Sequence, residues 1–310
     1  MPRQPVEDQV EPKLQVVHAI VPPGDDLLGH AVEVGELIGG LVRPKHRVVG
    51  QAMAGVVEAV GANVTTCRPG DEVFGDGPAG AFAEYAVMRA DRIAPKPSNL
   101  SFDEAACTPW AVAALQGLRD AGKVKPGHRV LINGASGGVG TWAVQIAKAL
   151  GAEVTAVCGP RNVEMVRALG ADAVIDYTKD DFTLGGARFD LVFDAVGNRS
   201  LGDCRRVLVP AGTFVACAGG SSGTAWVLRM LWMRITALFT RQTFAALMTK
   251  PNRTDLLFLK GLVEAGQARP VIAGRYTLAE TAAALHRVAQ GHPSGQLVVG
   301  IARDAAAVAP

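Results

Sequence analysis

The hydrophobic and polar positions follow two different patterns along the chain. Residues 1–45 contain three short apolar segments without clean alternation and with no obvious hairpin, so they assign no element. From residue 48, short apolar stretches alternate with turn-forming residues, which predicts a compact β-rich module that ends near Pro97. Within it we expect a glycine-punctuated strand pair over residues 48–61, a strand entered through a turn at Arg68, and a strand over residues 82–87.

Beyond residue 100 the pattern predicts helices that alternate with fully buried strands. Ser101 and Glu104 have the spacing of a capping box, which predicts the start of a helix that continues through Ala121. Short apolar runs then alternate with helical periodicity, and this spacing predicts a parallel, doubly wound sheet. Strands are expected at 130–132, 153–158, 173–177, 190–194 and 213–217, with helices at 139–150, 161–169 and 200–208. Helices at 225–248, 256–265 and 278–289 and a last strand at 296–301 are expected to follow.

A glycine-rich segment joins the first of these strands to its helix. It runs Gly134-Ala-Ser-Gly-Gly-Val-Gly140, so that Ala135 stands at the first glycine position of the G-x-G-x-x-G pattern. Gly137 lets the backbone approach a pyrophosphate, Gly140 lets the helix pack on the strand, and the helix N-terminus offers unpaired N–H groups. An ordinary tight turn is the alternative, but the strand and helix on either side favour a dinucleotide site. Its predicted residues are Ala135, Ser136, Gly137, Gly138, Val139 and Gly140.

Composition and charge narrow the class of protein. The 310 residues suffice for two medium domains, and 49% hydrophobic residues with 36 glycines are typical of an α/β enzyme. The net charge of +2 comes from dispersed Lys and Arg, which argues against a nucleic-acid partner. The five cysteines form no C-x-x-C pair, so neither a disulfide framework nor a structural zinc is expected. No secretory signal is visible and arginines interrupt segment 225–248, so we predict a cytoplasmic protein without a membrane span.

Several ordered motifs follow the β-rich module, namely V-x-I-N-G-A-S-G-G-V-G, A-L-G-A, V-I-D-Y, V-F-D-A-V-G-N and G-H-x-x-G-x-L-V-V. From about Arg43 to Ile301 their order resembles the medium-chain dehydrogenase/reductase superfamily, and within it the zinc-independent quinone oxidoreductase branch. The resemblance implies an α/β fold with a GroES-like β-rich catalytic domain (1–115), a Rossmann domain that binds NADP(H) (116–250) and a C-terminal return to the catalytic domain (251–310). It also implies a homodimer. Because residues 1–42 lack the family's usual Asn-Pro, the start of the catalytic domain is expected to be atypical or shortened.

The resemblance also implies a reaction. Zinc members of the superfamily carry Gly-His-Glu where this chain has Gly50-Gln51-Ala52, so we expect no metal. Hydride transfer without a Lewis acid suits a small hydrophobic quinone or α,β-unsaturated carbonyl compound. No general acid or base is recognisable, so the sequence names no catalytic residue. Ala52 and Ala113-Ala114 replace an aspartate and a threonine usual in the family, so the alternative is a catalytically impaired NADPH-binding paralogue or sensor, and an alcohol dehydrogenase is less favoured.

The residues around the glycine turn indicate which nicotinamide cofactor binds. NAD-specific sites place an acidic residue at the end of the second strand, but here that strand is followed by Arg161 and Asn162. Arg161 suits a 2′-phosphate, and by resemblance Tyr177 reaches the same group, so NADP(H) is favoured. The alternative is a solvated Arg161 at a helix start and a Tyr177 that packs at the sheet edge. By resemblance, two later turns face the nicotinamide, with the residues Val196, Gly197, Asn198, Gly219 and Gly220.

The apolar segment 225–248 has three interpretations, which the sequence leaves open: a wall or lid of an apolar substrate pocket, a dimer surface, or buried core. Its broad apolar face comprises Leu228, Leu231, Trp232, Ile235, Leu238 and Phe239. Cys158, at the end of the second strand, is interpreted as a small hydrophobic residue and not as a nucleophile.

Overall fold

The computed structural model describes residues 13–21, 48–77, 80–217, 223–291 and 294–301, with the backbone alone for 13–21 and 223–227. Its strands are β1 Lys13–Val21, β2 Ala52–Ala59, β3 Glu72–Asp76, β4 Tyr85–Val87, β5 Ile93–Pro95, β6 Arg129–Asn133, β7 Glu153–Cys158, β8 Ala173–Asp176, β9 Phe189–Asp194, β10 Leu208–Ala216, β11 Thr243–Ala246, β12 Ile272–Thr277 and β13 Gln296–Gly300. Its α-helices are α1 Phe102–Cys107, α2 Ala111–Leu115, α3 Gly138–Ala149, α4 Val163–Ala168, α5 Leu201–Arg206, α6 Gly223–Ala237, α7 Arg253–Glu264 and α8 Thr281–Ala289.

The first sheet has seven strands and is mostly antiparallel. Six of them follow the order β12-β13-β1-β2-β3-β5, and β4 pairs with β1. β1 lies inside this order between β2 and β13, in one of the short apolar segments for which the sequence predicts no element. A strand with a partner along both edges owes its order to long-range pairing, which local alternation does not report. Because β13 pairs with β1, the end of the described chain closes on its beginning.

The prediction of a strand pair over residues 48–61 is wrong, because Ala52–Ala59 form one continuous strand. Its partners are β1 and β3, and Gly55 lies opposite Val73 in the register with β3. Gly55 therefore interrupts neither the strand nor its pairing with β3, whereas the pairing with β1 has a register shift beside it, between Val16 and His18. The strands expected after the Arg68 turn and within residues 82–87 are present as β3 and β4, whereas β12 has no counterpart in the expected elements.

The second sheet is the doubly wound parallel sheet that the sequence predicts. Its order is β11-β10-β9-β6-β7-β8, and all of its pairs are parallel. The chain first builds outward from β6 through β7 and β8, and then returns to the other side of β6 with β9. The carboxyl ends of β6 and β9 are therefore neighbours at the point where the direction of winding reverses. Open α/β sheets bind their ligands at this switch point.

The helix predicted to begin at the capping box is present but interrupted. Ser101 and Glu104 form the box, and α1 ends at Cys107. Thr108–Trp110 form a short 3₁₀ turn before α2. Pro109 has no N–H for a helical hydrogen bond, which explains the break. The turn lies against β3 of the first sheet.

The prediction of a single helix over residues 225–248 is wrong. α6 ends at Ala237, and Thr243–Ala246 add β11 as the sixth strand of the parallel sheet. The buried-core interpretation is wrong as well, because an apolar face is buried only where another element covers it. The exposed side chains, with exposed fractions from 38% to 81%, are Leu228, Leu231, Trp232, Ile235, Leu238 and Phe239. Within the described ranges, no helix is long and apolar enough to cross a membrane.

Helix α3 connects the two sheets. Trp142 of α3 is fully buried and donates its indole N–H to Oε1 of Gln296 at 3.2 Å, and Nε2 of Gln296 donates to the carbonyl oxygen of Cys107 at 3.1 Å. These bonds tie β13 to the helix of the glycine turn. The described first sheet is built from residues 13–95 and 272–300 and the second from residues 129–246, whereas the domain limits at 115 and 250 stay predictions.

Candidate active site

Packing requires two of the glycines in the turn that follows β6. Gly134 has a φ of +85°, and a Cβ there would lie 2.5 Å from Cγ2 of Val196. A Cβ on Gly140 would collide with the carbonyl oxygen of Gly134. α3 can therefore begin directly above the end of β6 only with glycine at position 140. This is the close packing of helix and strand that the sequence predicts.

Gly137 differs, because the protein itself leaves room for a side chain there. A Cβ on Gly137 would lie 3.6 Å from its nearest described neighbour, the carbonyl oxygen of Gly134, and its φ of −78° suits any residue. Gly137 is the N-cap of α3 and offers no side chain to the first N–H groups of the helix. The turn thus keeps space and backbone donors for a phosphate. Of the other predicted residues in this turn, Ala135 and Gly138 are buried, and Ser136 and Val139 are half-buried.

The C-terminal segment approaches the glycine turn from the first sheet. Gly295 forms an isolated parallel bridge with Gly137. Ser294 donates from Oγ to Oδ1 of Asn162 at 2.6 Å, and Asn162 follows β7. One short segment therefore contacts both the phosphate end and the ribose end of the predicted nucleotide site. Sequence reasoning missed this contact. Its one trace in the sequence is the glycine at position 295, which adopts a positive φ in the structure.

A buried polar cluster holds the turn that follows β9. Asp194 is 1% exposed, and its Oδ2 pairs with Arg229 of α6 at 2.8 Å. Oδ1 of Asp194 accepts from Nδ2 of Asn133 and from the backbone N–H of Gly197, both at 2.9 Å. Arg229 also donates to the carbonyl oxygen of Gly197 at 3.2 Å and lies 5.5 Å from the centroid of the Phe214 ring. A charged side chain of α6 thus fixes the turn at the switch point.

The residues predicted to face the nicotinamide lie on this turn. Nδ2 of Asn133 donates to Oδ1 of Asn198 at 3.0 Å, and the backbone N–H of Val196 donates to Asp194 at 3.2 Å. Val196, Gly197 and Asn198 are thereby brought beside the glycine turn. Gly219 and Gly220 lie outside the described residues. Sequence reasoning missed Asn133, Asp194 and Arg229. Asn133 and Asp194 are polar residues at the ends of buried strands, which is a usable signal, whereas Arg229 on α6 gives none.

The residues predicted to select the cofactor lie at the ends of β7 and β8. Arg161 is exposed in a short 3₁₀ turn after β7, and Tyr177 is 44% exposed. Tyr177 lies over Gly159, where a Cβ would be 3.2 Å from its hydroxyl. Asp176 at the end of β8 accepts from the hydroxyl and the backbone N–H of Thr178, which hold the pKa of its carboxyl below the usual range. Arg161 and Tyr177 thus lie at the same corner of the sheet.

A cavity of about 580 Å³ lies between the first sheet and the segment that follows β11. Burial raises the pKa of Asp76 to about 6, and the charge of Arg92 opposes this shift. The indole nitrogen of Trp110 is buried and meets no hydrogen-bond acceptor among the described residues. The polar and charged side chains around the cavity are Gln51, Asp76, Arg92, Trp110, Thr249 and Lys250.

The donors of this cavity do not fit a zinc site. Catalytic zinc takes at least three Cys, His or carboxylate ligands from the protein. Here Gln51 provides an amide and Asp76 a single carboxylate. Throughout the part of the chain that the structure describes, no three His, Cys, Asp or Glu side chains are grouped to hold a metal ion.

Burial raises the pKa of all five thiols, which are free. The pKa reaches about 12 for Cys204 and for Cys217, where the charge of Asp194 adds to the effect of burial. Cys158 is buried at the end of β7, as expected for a small hydrophobic residue, and the charge of Asp176 adds to the burial that raises its pKa. At neutral pH these cysteines are thiols, not the thiolates that act as nucleophiles.

The fold and the site together define a class of protein. A β-rich sheet, a doubly wound parallel sheet with a glycine turn at its switch point, and a cavity between them are the parts of a two-domain, dinucleotide-dependent oxidoreductase. The family model described as alcohol dehydrogenase GroES-like domain matches residues 13–98, and the one described as zinc-binding dehydrogenase matches residues 169–299. The chain belongs to the medium-chain dehydrogenase/reductase superfamily, in its quinone oxidoreductase-like branch. The predicted combination of a GroES-like and a Rossmann-like domain is confirmed.

Individual relatives agree with this assignment. The 2-methylene-furan-3-one reductase of Solanum lycopersicum is 33% identical over 270 residues, which are 83% of this chain and 64% of that protein. The NAD(P)H oxidoreductase RTN4IP1 of Danio rerio is 31% identical over 83% of this chain and 73% of its own length. The structure of the quinone oxidoreductase from Coxiella burnetii matches with a TM-score of 0.81 and 27% identity, over 96% of this chain and 93% of that one. The protein is therefore an oxidoreductase that uses a nicotinamide cofactor.

Proposed function

We propose that this protein is a zinc-independent, NADPH-dependent reductase of quinones or α,β-unsaturated carbonyl compounds. The observation that carries the proposal is the position of the glycine turn relative to the cavity. The turn lies at the switch point of the parallel sheet, and Thr249 and Lys250, which line the cavity, follow β11 at the same carboxyl edge. A dinucleotide with its phosphates on Gly137 would extend along this edge. The names of the tomato and Coxiella relatives support the substrate class.

The chemistry follows from what the residues hold in place. A bound nicotinamide supplies a hydride. The backbone at Gly137 and the first N–H groups of α3 would bind the pyrophosphate, while the Asp194 cluster would keep the turn at 196–198 in one position beside the ring. Quinones and enones accept a hydride at carbon without a Lewis acid, because the negative charge moves to the carbonyl oxygen. This substrate class therefore suits a site whose donors do not fit zinc.

The preference for NADPH rests on Arg161 and Tyr177. A guanidinium pairs strongly with a 2′-phosphate, and Arg161 is exposed at the corner where the adenosine ribose would lie. Asp176 lies close by, but Thr178 already donates two hydrogen bonds to its carboxylate. Among the described residues no carboxylate pairs with Arg161, so its guanidinium is available for a phosphate, while the carboxylate of Asp176 is engaged.

A fluorescence titration with NADPH and, in parallel, NADH tests the cofactor. Tight binding of NADPH with weak binding of NADH is expected. Oxidation of NADPH in the presence of a panel of quinones and enones then tests turnover. Binding without oxidation across that panel would favour the alternative function, a nucleotide-binding sensor or impaired paralogue. Binding of neither nucleotide would contradict both.

The homodimer and the cytoplasmic location stay predictions. Light scattering on the purified chain measures its mass in solution, and a mass of twice 32.3 kDa is expected. Two interpretations of the α6 face remain, a pocket wall or a dimer surface. They predict different masses in solution when a charge is introduced on this face. Trp232→Lys should produce a monomer if that face forms the dimer, and should leave the mass unchanged if the face lines a pocket.

A further inference from the structure

Helix α6 turns most of its large apolar side chains away from the protein. Its inner side comprises Arg229, Met233 and Thr236, and Met233 belongs to the core cluster that includes Phe214 of β10. The outer side is the α6 face, an exposed apolar surface formed by Leu228, Leu231, Trp232, Ile235, Leu238 and Phe239. A soluble surface helix normally has the opposite arrangement, with apolar side chains toward the core and polar ones toward water.

The α6 face extends beyond the end of the helix. The backbone N–H of Leu238 donates to the carbonyl oxygen of Ile235 at 3.2 Å, and that of Phe239 donates to Thr236 at 3.1 Å. These bonds form a tight turn directly after α6, in which Leu238 and Phe239 are 80% and 81% exposed. Contiguous apolar patches of this kind mark surfaces that bind a partner or a membrane.

The charges around the α6 face are of one sign. Between Asp203 and Asp255 the sequence has no acidic residue but seven arginines and lysines. Because the whole chain has a net charge of +2, the rest of it carries a net charge of −5. Arg234 on α6 and Arg241 after the turn are exposed, and among the described residues no carboxylate pairs with either of them. The α6 face is therefore apolar and flanked by cations.

These charges distinguish between the possible occupants of the α6 face. Of the described residues that line the cavity of about 580 Å³, none comes from α6, so the face is not a wall of that cavity. In a two-fold dimer built on this face, the same surface would meet its own copy. Arg234 and Arg241 of one protomer would then lie near the arginines of the other, and like charges across an interface are costly. An anionic lipid surface has the opposite charge.

We propose that the α6 face docks the protein on a bilayer that contains anionic lipids. Helices that lie in the plane of a membrane carry Trp, Phe and Leu toward the acyl chains and Arg or Lys toward the headgroups. Leu238 and Phe239 would enter the acyl region, Trp232 would lie at the headgroup level, and Arg234 and Arg241 would contact the lipid phosphates. This inference goes beyond the proposed function and does not depend on it.

Sedimentation with lipid vesicles tests the proposal. One set of vesicles contains phosphatidylcholine alone, and in the other about a third of the lipid is phosphatidylglycerol, which is anionic. The variant Leu238→Ser has a closely matched control in Leu184→Ser, because Leu184 is 78% exposed in the loop before β9. Arg234→Gln is compared with Arg287→Gln, which removes an exposed arginine from α8. Circular dichroism establishes that each variant is folded.

We expect the parent protein to bind the anionic vesicles at least about tenfold more tightly than the neutral ones. Leu238→Ser should weaken binding to the anionic vesicles by about tenfold, since it removes a large apolar side chain from the contact. Arg234→Gln should weaken it by about fivefold, and added salt should weaken it further, because the attraction to the headgroups is screened. Both controls should bind as the parent does.

Several results would overturn the proposal. A parent that binds neither kind of vesicle rules it out, and so does an equal loss in Leu238→Ser and Leu184→Ser. Equal binding to both kinds of vesicle, unaltered in Arg234→Gln, rules out the role of anionic lipid. If light scattering shows that Leu238→Ser converts a dimer into a monomer of 32.3 kDa, the α6 face binds a second copy instead.

The test is independent of the reductase activity. Vesicle binding is measured without nucleotide or substrate, so a protein that oxidises no NADPH can still bind the vesicles, and an active reductase can fail to bind them. Should Leu238→Ser not fold, Phe239→Ser takes its place, because Phe239 is equally exposed in the same turn.

Discussion

The ion pair between Arg229 and Asp194 is expected to stabilise both the fold and the nucleotide site. The side chains are 15% and 1% exposed, so Arg229→Met would leave a buried carboxylate without its cation. Removing one partner of a buried ion pair costs about 3–5 kcal/mol. Asn133 and two backbone N–H groups still bond to the carboxylate, which favours the lower end, about 3 kcal/mol.

Urea unfolding followed by circular dichroism measures this loss, and a thermal scan of the 310-residue chain should show a Tm lowered by about 5 °C. NADPH affinity should fall at the same time, because the guanidinium also bonds to the carbonyl oxygen of Gly197. The matched control is Arg234→Met, since Arg234 is exposed on the same helix. If the two variants lose the same stability, the ion pair does not hold the turn and the reasoning is refuted. The double variant Asp194→Asn, Arg229→Met should lose much less than the two single losses added together.

Three further predictions concern the nucleotide site and the pH dependence of stability. Arg161→Ala should weaken NADPH binding by about tenfold or more and leave NADH binding unchanged; unchanged discrimination between the two would refute its role. Gly137→Ala should lower NADPH affinity with little change in Tm, whereas Gly140→Ala should lower both, and equal effects would show that Gly137 is also a packing residue. Hydrogen bonds from Lys260 and from the backbone N–H and hydroxyl of Ser98 lower the pKa of Glu264 to about 2. The stability that Glu264 contributes is therefore complete above its ordinary pKa of 4.5 and is lost as the pH falls from there toward 2. Glu264→Gln should flatten the pH dependence of the unfolding free energy in that range, and an unaltered slope would contradict this.

The parallel sheet and its glycine turn could be predicted because their causes are local. Buried strands leave uninterrupted apolar runs, and Gly140 is dictated by a carbonyl oxygen only six residues earlier in the chain. β1 and β11 have no such local cause. β1 is ordered by β13, from the opposite end of the chain, and β11 by its pairing with β10.

The candidate site shows the same limit. Val196, Gly197 and Asn198 were predicted as a turn, but the residues that hold this turn were not. Asn133 and Arg229 come from distant parts of the sequence and meet at Asp194 only after the sheet has wound in both directions. Asp76 and Trp110 are also separated in sequence, and what distinguishes them is a pKa raised by burial and an N–H without a described acceptor. Neither property exists before the chain is folded.

The raised pKa values of the thiols bear on how long such an enzyme would survive its own reaction. Enones and quinones are electrophiles that add to thiolates, so a reductase of these compounds risks covalent inactivation by its substrate. At pH 7 a thiol with a pKa of about 12, as in Cys204 and Cys217, is ionised in only about one molecule in 10⁵. The same burial that raises the pKa of these two thiols therefore protects them from alkylation, without any residue devoted to that protection.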